Sequence, residues 1–357
     1  MLDYAYSGKL AIINLLLWLF IVLFYSNRKQ SSRSHPLGIL VILFATFAFS
    51  EADTYHYHDL YDQMLIYHEP IHVESFYFWL IECLPHNYYL WRFIVWGVAL
   101  FILMSTFKRY KLNSNILGLT FALILLQKFV VTRGCLGIAL FICALSLFSV
   151  PLKSRALSYT IGVIGVIVSI FLHQSLPIFI AIFILSFVPL NRFTVFVSLI
   201  LFPVIRVGLI PHMSDFLSLN IFSSDTINFA ASYLEDDKSV ANVNGLIRQV
   251  IELLPLVCIF ILLVKEYIFK KNFIDKPMKM LFKYSFVLFY IAMLFFGQQT
   301  SSFVSSRTIH MMCFPLMIVV TYYMSTAKKR NYLLNLSLIC FFFADIYAFL
   351  YTIYKTW

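Results

Sequence analysis

The chain has 357 residues, of which 61% are hydrophobic, 18% aromatic and only 12% charged. A soluble globular protein has about 25% charged residues because its surface must be hydrated, so this composition excludes a soluble domain. Eleven Gly and eleven Pro exclude a collagen-like or Pro/Gly-rich disordered chain, and the six Cys form no CxxC pair. The net charge of +10 raises the question of an anionic partner, which the distribution of charge along the chain answers.

Apolar runs follow one another along the whole chain, and a bilayer crossing takes about 20 such residues. They lie at 10–26, 37–50, 88–107, 112–131, 134–150, 156–172, 176–190, 193–210, 248–268, 279–297, 308–326 and 331–354. They predict an all-α, polytopic membrane bundle of about twelve helices, with ten or eleven as the alternative because 37–50 is short. We expect residues 1–357 to form one membrane domain. Since no cleavable signal peptide is evident, the first helix is expected to stay as an anchor.

Lys and Arg indicate which loops face the cytoplasm. Most of them fall in alternate loops, in groups at 28–33, 108–111, 153–155, 265–283 and 328–330. The basic excess is therefore an orientation signal toward anionic lipid, and no motif supports nucleic-acid binding. Every His except His35 falls at the opposite, outer face. We expect an active site to open on that face.

Two predicted outer loops are long. Residues 51–87 begin with EADTYHYHDLYDQM and continue into IHVESFYFWLIECL, which is too short and too acidic to span. This second stretch predicts a helix in the membrane interface, with Tyr77 and Trp79 at headgroup level. Residues 211–247 contain Ser, Asn and the acidic run Glu235 to Asp237, with apolar residues that also favour a position on the membrane.

The first candidate site lies at the start of the outer loop 51–87. Glu51 and Asp53 stand at the end of a predicted span, and positions 53, 57 and 61 share one helical face. Carboxylates accept hydrogen bonds from sugar hydroxyls, and the rings of Tyr57 and Tyr61 stack on sugar. The alternative for the tyrosines is an interfacial aromatic belt.

The second candidate site is a set of arginines at the outer ends of predicted helices: Arg92, Arg133, Arg206, Arg248 and Arg307. Guanidinium groups bind phosphate bidentately, and cations on this face run against the positive-inside rule. An anionic, lipid-linked substrate would compensate them. The structural alternative is snorkelling or pairing with acids, as for Arg248 and Glu252, which are four residues apart.

Three further features have weaker signals. His173, in FLHQSLP, stands where one helix ends and is a candidate general base or phosphate contact, because imidazole changes charge near neutral pH. His56, His58, His68 and His72 cluster with acids, but Pro70 interrupts the helix a metal site would need, so we predict neither a metal nor a cofactor. Asp345 lies mid-span, where an acid marks function by default and interhelical hydrogen bonding is the alternative.

Four short motifs, in this order, resemble the EpsG-like branch of the Wzy-type polysaccharide repeat-unit polymerases. They are D-T-Y-x-Y-x-x-x-Y at Asp53–Tyr61, R-G-x-x-G-x-A at Arg133–Ala139, FLHQS around His173, and SSRTIHMM around Arg307. One departure is Gly134, where the family more often has a polar residue.

The resemblance implies a reaction at the periplasmic face of a bacterial inner membrane. A growing glycan on undecaprenyl pyrophosphate would be transferred to the non-reducing end of a lipid-linked oligosaccharide repeat unit. Arg133 and Arg307 would hold pyrophosphate, with Arg206 and Arg248 in support. Asp53 or His173 would activate the acceptor, and Glu51, Tyr57 and Tyr61 would bind sugar.

The expected partners are undecaprenyl-pyrophosphate-linked oligosaccharides, membrane lipid, a chain-length regulator and a flippase. The nearest alternative is another membrane glycosyltransferase that uses polyprenyl-phosphate sugars, with Glu51 and Asp53 as base or metal-binding pair. A lipid-linked oligosaccharide flippase ranks lower, because transporters place their sites near the midplane and carry repeated halves. A membrane acyltransferase has no distinct site here.

Overall fold

A computed structural model describes residues 4–27, 58, 61–68, 75–131, 134–173, 176–209, 243–269, 276–296, 302–326 and 331–356. Within these residues the regular structure is helical throughout, with no strand. The helices are α1 (Tyr4–Asn27), α2 (Ser75–Cys83), α3 (Tyr88–Arg109), α4 (Ser114–Thr120, continued by Leu126–Val131), α5 (Cys135–Ser149), α6 (Arg155–Leu172), α7 (Leu176–Leu185), α8 (Arg192–Val204), α9 (Val243–Phe269), α10 (Lys276–Phe295), α11 (Ser302–Thr326) and α12 (Tyr332–Thr356).

These helices confirm the predicted all-α polytopic class. Five of those described are long and apolar enough to cross a bilayer, within α3, α6, α10, α11 and α12. Shorter apolar helices occur in α1, α4, α5 and α7. Each predicted apolar run coincides with a helix except 37–50, which lies outside the described residues, as does most of the loop 211–247.

Several helices begin at polar caps that the sequence supplies. Asn87 accepts a hydrogen bond from the Leu90 amide at the start of α3, and Ser154 accepts one from the Leu157 amide at the start of α6. Asn191 and Thr194 form a reciprocal capping box at the start of α8. These side chains satisfy amide groups that a helix leaves without partners in its first turn.

The bundle is arranged around α11, since 78% of its apolar window is buried, against 22% for α6. Helices α10 and α4 pack on α11, α9 packs on α12, and α3 and α6 pack on α5. An exposed apolar face on α6 is what a helix at a lipid boundary presents.

Small residues bring α5 and α6 close together. A Cβ placed on Gly165 would lie 3.2 Å from the Cβ of Ala144, and one on Gly137 would lie 3.3 Å from the carbonyl oxygen of Ser169. Close backbone approach of this kind drives helix association in membranes, where apolar burial gives no advantage over lipid. This pairing fixes the end of α6 against the start of α5.

Helix α4 contains a π-helical turn at Phe121–Leu125. The indole nitrogen of Trp18 in α1 donates a hydrogen bond to the carbonyl oxygen of Ala122 in this turn, at 3.0 Å. Turns of this type within α-helices occur frequently at functional sites. The sequence run 112–131 gave no indication of it.

Candidate functional site

One end of the bundle brings together two of the residues that the sequence singled out, His173 and Arg92. There the starts of α3 and α5 meet the ends of α4 and α6. The indole nitrogen of Trp96 in α3 donates a hydrogen bond to the carbonyl oxygen of Phe129, near the end of α4, at 3.0 Å. His173 at the end of α6 contacts Gly134 at the start of α5. We call this the His173 end of the bundle.

His173 follows directly after α6 in an extended conformation, and it is only 6% exposed. Its imidazole lies against Gly134: a Cβ placed on Gly134 would lie 1.7 Å from Cδ2 of His173 and 2.4 Å from Nε2. The glycine therefore makes room for the ring. This contact gives a physical reason for Gly134 at a position where the resembling family more often has a polar residue.

Arg92 brings a positive charge to the same end of the bundle. It is buried in the second turn of α3, with its guanidinium carbon 5.3 Å from the centroid of the Trp96 ring. Such cation–π contacts are stronger where the cation is desolvated. The charge of Arg92 also acts on the thiol of Cys135, the residue after Gly134. A buried arginine thus lies near the start of α5.

The side chains of two further predicted arginines are described, Arg307 in α11 and Arg206 in the π-helical turn Ile205–Leu209 that follows α8. Arg307 is half-buried near the start of α11. Arg206 donates hydrogen bonds from Nη1 to the carbonyl oxygen of Met293 at 2.8 Å and from Nη2 to that of Phe296 at 2.6 Å. These carbonyls belong to the C-terminal end of α10, where the helix dipole favours a cation. The structure thus gives Arg206 a structural role, and its contact with substrate stays a prediction.

The remaining predicted residues divide by placement. Glu51, Asp53, Tyr57 and Arg133 lie outside the described residues, although Arg133 directly precedes Gly134 in the chain. Arg248 lies in α9. Tyr61 is described, and its ring packs edge-on against Tyr88 at 5.5 Å between centroids.

Tyr61 belongs to a buried aromatic cluster with Tyr77, Tyr88 and Trp91. Burial raises the pKa of its phenol, the backbone amide of Asn87 opposes that shift, and the nearby charge of Asp62 adds to it. The cluster packs the outer segment on the start of α3. It therefore supports the helix that carries Arg92, and sugar stacking on Tyr61 stays a prediction.

A second cluster of polar side chains lies within the bundle, and the sequence did not predict that they are close together. The ammonium of Lys128 in α4 forms an ion pair with Glu252 in α9, with 3.2 Å between Nζ and Oε1. The buried Asp345 of α12 borders the same small cavity. Charged residues are rare in apolar helices, so the sequence marks each of these residues as unusual. That Lys128 pairs with Glu252 depends on how the helices pack.

Metal ligation has no support in the described part of the chain. No group of three or more His, Cys, Asp or Glu side chains there is arranged to hold a metal ion. His58 instead lies 3.4 Å from Asp62, and His68 lies 3.3 Å from Glu82.

Together, the fold and this end of the bundle define a multi-pass membrane protein with a buried histidine and a buried arginine where several helices begin or end. Comparison with known proteins identifies the particular kind. The EpsG family matches residues 35–357, so the chain belongs to the EpsG family. That membership indicates a membrane protein of the polysaccharide-polymerase type. No curated protein and no solved structure shows significant similarity to the chain.

Proposed function

We propose that the protein is a repeat-unit polymerase that works at the His173 end of the bundle, on the periplasmic face of a bacterial inner membrane. The hydroxyl oxygen at the non-reducing end of a lipid-linked oligosaccharide attacks the anomeric carbon of a growing glycan. The bond from that carbon to undecaprenyl pyrophosphate breaks, and the pyrophosphate leaves with the electron pair. The hydroxyl proton passes to a base of the protein.

The observation that carries the proposal is the contact of His173 with Gly134 in a chain of the EpsG family. It joins two of the motifs that resemble the polymerases, although they are far apart in sequence. Arg133 directly precedes Gly134 in the chain, and the charge of Arg92 in α3 acts on Cys135, the residue after Gly134.

Each of these residues has a chemical task in the proposed reaction. The leaving pyrophosphate develops negative charge, which preorganised guanidinium groups stabilise best where water is excluded. Arg133 and Arg307 supply those groups. The buried Arg92, which belongs to the set of outer arginines in the sequence but received no role in the reaction there, adds a third positive charge. His173 or Asp53 accepts the hydroxyl proton, while Glu51, Tyr57 and Tyr61 orient sugar. Arg248 supports the pyrophosphate.

Chain length in cells tests the proposal. His173→Asn, Arg92→Gln and Arg307→Gln are expressed singly in a strain lacking its own copy, with protein amount in the membrane confirmed. Each is expected to collapse long-chain polysaccharide to a single repeat unit. The matched controls are His86→Asn, at an exposed histidine, and Arg155→Gln, at an exposed arginine that opens α6. Both controls are expected to give normal chain lengths.

Normal chain-length ladders from all three site variants would overturn the proposal. A requirement for a divalent metal in a purified assay would instead favour the alternative glycosyltransferase that uses polyprenyl-phosphate sugars. A co-expressed chain-length regulator could change the polymer length without contradicting the proposed reaction, because it would change only the number of repeat units that are added.

A further inference from the structure

A small cavity lies between α4, α9, α11 and α12, apart from the contact of His173 with Gly134. Its polar lining consists of Gln127, Lys128, Glu252 and Asp345, and its remaining walls are mainly apolar. The space admits a water-sized group and is far too small for a sugar ring. A substrate glycan is therefore not its occupant.

Asp345 is the residue of the cavity whose carboxylate needs a further binding partner. Its side chain is 8% exposed, and no donor in the described part of the chain lies within hydrogen-bonding distance of Oδ2. The side-chain amide nitrogen of Gln127 donates to the backbone carbonyl oxygen of Asp345 at 3.2 Å, not to Oδ2. A buried polar atom without a partner is costly and uncommon in native proteins.

The charges around the cavity indicate what the occupant carries. Among the described residues that line the cavity, Lys128 and Glu252 form an ion pair across 3.2 Å, so Asp345 in its ionised form adds one negative charge to that lining. An isolated charge inside a bilayer is expensive unless it is paired. One positive charge restores neutrality, whereas a divalent ion would leave an excess beside the ammonium of Lys128.

The backbone at the cavity is also irregular. The π-helical turn Phe121–Leu125 supplies part of the wall through Leu123 and Ile124. Irregular helix turns that border a polar cavity at membrane depth accompany cation sites in other membrane proteins. They also mark functional positions more generally.

We propose that this cavity binds a monovalent metal cation, with the carboxylate of Asp345 as its charged ligand. Glu252 also borders the cavity, where its ion pair with Lys128 holds it. The site is independent of the proposed polymerase reaction, because it rests on the cavity and the charges alone.

Thermal unfolding of the purified full-length protein in detergent tests the proposal. The melting temperature is measured at neutral pH in NaCl, in KCl and in choline chloride at equal ionic strength. In the wild type, a metal cation is expected to raise it saturably, by about 5 °C at a hundredfold excess over Kd, whereas choline is too large to enter. Asp345→Asn is expected to abolish that difference.

Glu266→Gln is the matched control, since it removes another buried carboxylate of α9 away from the cavity. It is expected to keep the full response to the metal cation. If Asp345→Asn yields no folded protein, equilibrium binding of radioactive sodium to the wild type decides, with one saturable site per chain expected.

Three results would overturn the proposal. The first is a wild-type melting temperature that is equal in sodium, potassium and choline and rises only with acidification, which would identify a proton as the occupant. The second is a response to metal that survives Asp345→Asn. The third is the absence of saturable sodium binding. Each can occur whether or not the protein polymerises glycan, so failure here is distinct from failure of the proposed function.

Discussion

Replacement of Gly134 by Ala is the sharpest perturbation that the structure offers. The new Cβ would lie 1.7 Å from Cδ2 and 2.4 Å from Nε2 of His173, whereas carbon atoms in contact lie about 3.5–4.0 Å apart. The imidazole therefore has to move by about 2 Å. Overpacking of this kind costs about 1–3 kcal/mol of stability, and a catalytic group displaced by 1 Å loses about a hundredfold in rate.

We expect Gly134→Ala to reduce polymerisation by at least about a hundredfold while protein remains in the membrane. A double-mutant cycle separates the contact from other effects. In the wild type Gly134→Ala should lower the free energy of unfolding by about 2 kcal/mol. In a His173→Ala background, where the ring is absent, the same change should cost less than about 0.5 kcal/mol.

The matched control is Gly208→Ala, because a Cβ at Gly208 meets nothing within 4 Å. Thermal unfolding of purified protein measures stability, and chain length in cells measures activity. Equal costs of Gly134→Ala in the two backgrounds would refute the role assigned to the contact. So would normal polymer from Gly134→Ala.

Two other side-chain interactions give predictions of stability. Arg206→Gln should lower the free energy of unfolding by about 2 kcal/mol, because it removes two charge-assisted hydrogen bonds at the end of α10; a loss of polymer at unchanged stability would instead show that Arg206 contacts substrate. Glu252→Gln should cost about 3 kcal/mol in thermal or denaturant unfolding, because it breaks an ion pair whose two side chains are both largely buried. Replacing both Lys128 and Glu252 by Met should recover most of that loss. A double variant that loses as much stability as the sum of the losses from Lys128→Met and Glu252→Met would contradict the pairing.

Most of the helices could be predicted from hydropathy, since lipid forces each spanning segment to satisfy its own backbone groups. Runs 88–107 and 156–172 coincide with α3 and α6 at one end and differ by only two residues and one residue, respectively, at the other. The π-helical turn in α4 could not be predicted, because its residues are ordinary apolar ones and its hydrogen bond from Trp18 comes from another helix.

In the candidate site, too, the sequence identifies individual residues but not the contacts between them. His173 was identifiable as a polar residue at a helix end, whereas its contact with Gly134 depends on how α5 packs on α6. Spacing along one helix suggested Arg248 as a partner for Glu252, and that pairing stays a prediction. The ion pair of Glu252 with Lys128 joins two helices and depends on how they pack. Periodicity within a helix carries no information on such pairs, and Arg92 became prominent only through its burial against Trp96.

Polymerisation by the purified protein tests the central claim most directly. The full-length chain is incubated with polyprenyl-pyrophosphate-linked oligosaccharide repeat units, without sugar nucleotides or divalent metal. The account predicts a ladder of lipid-linked products spaced by one repeat unit, with one polyprenyl pyrophosphate released for each bond formed, and no ladder from His173→Asn. Folded wild-type protein that forms no ladder, or that adds only single sugars from polyprenyl-phosphate donors, would contradict it.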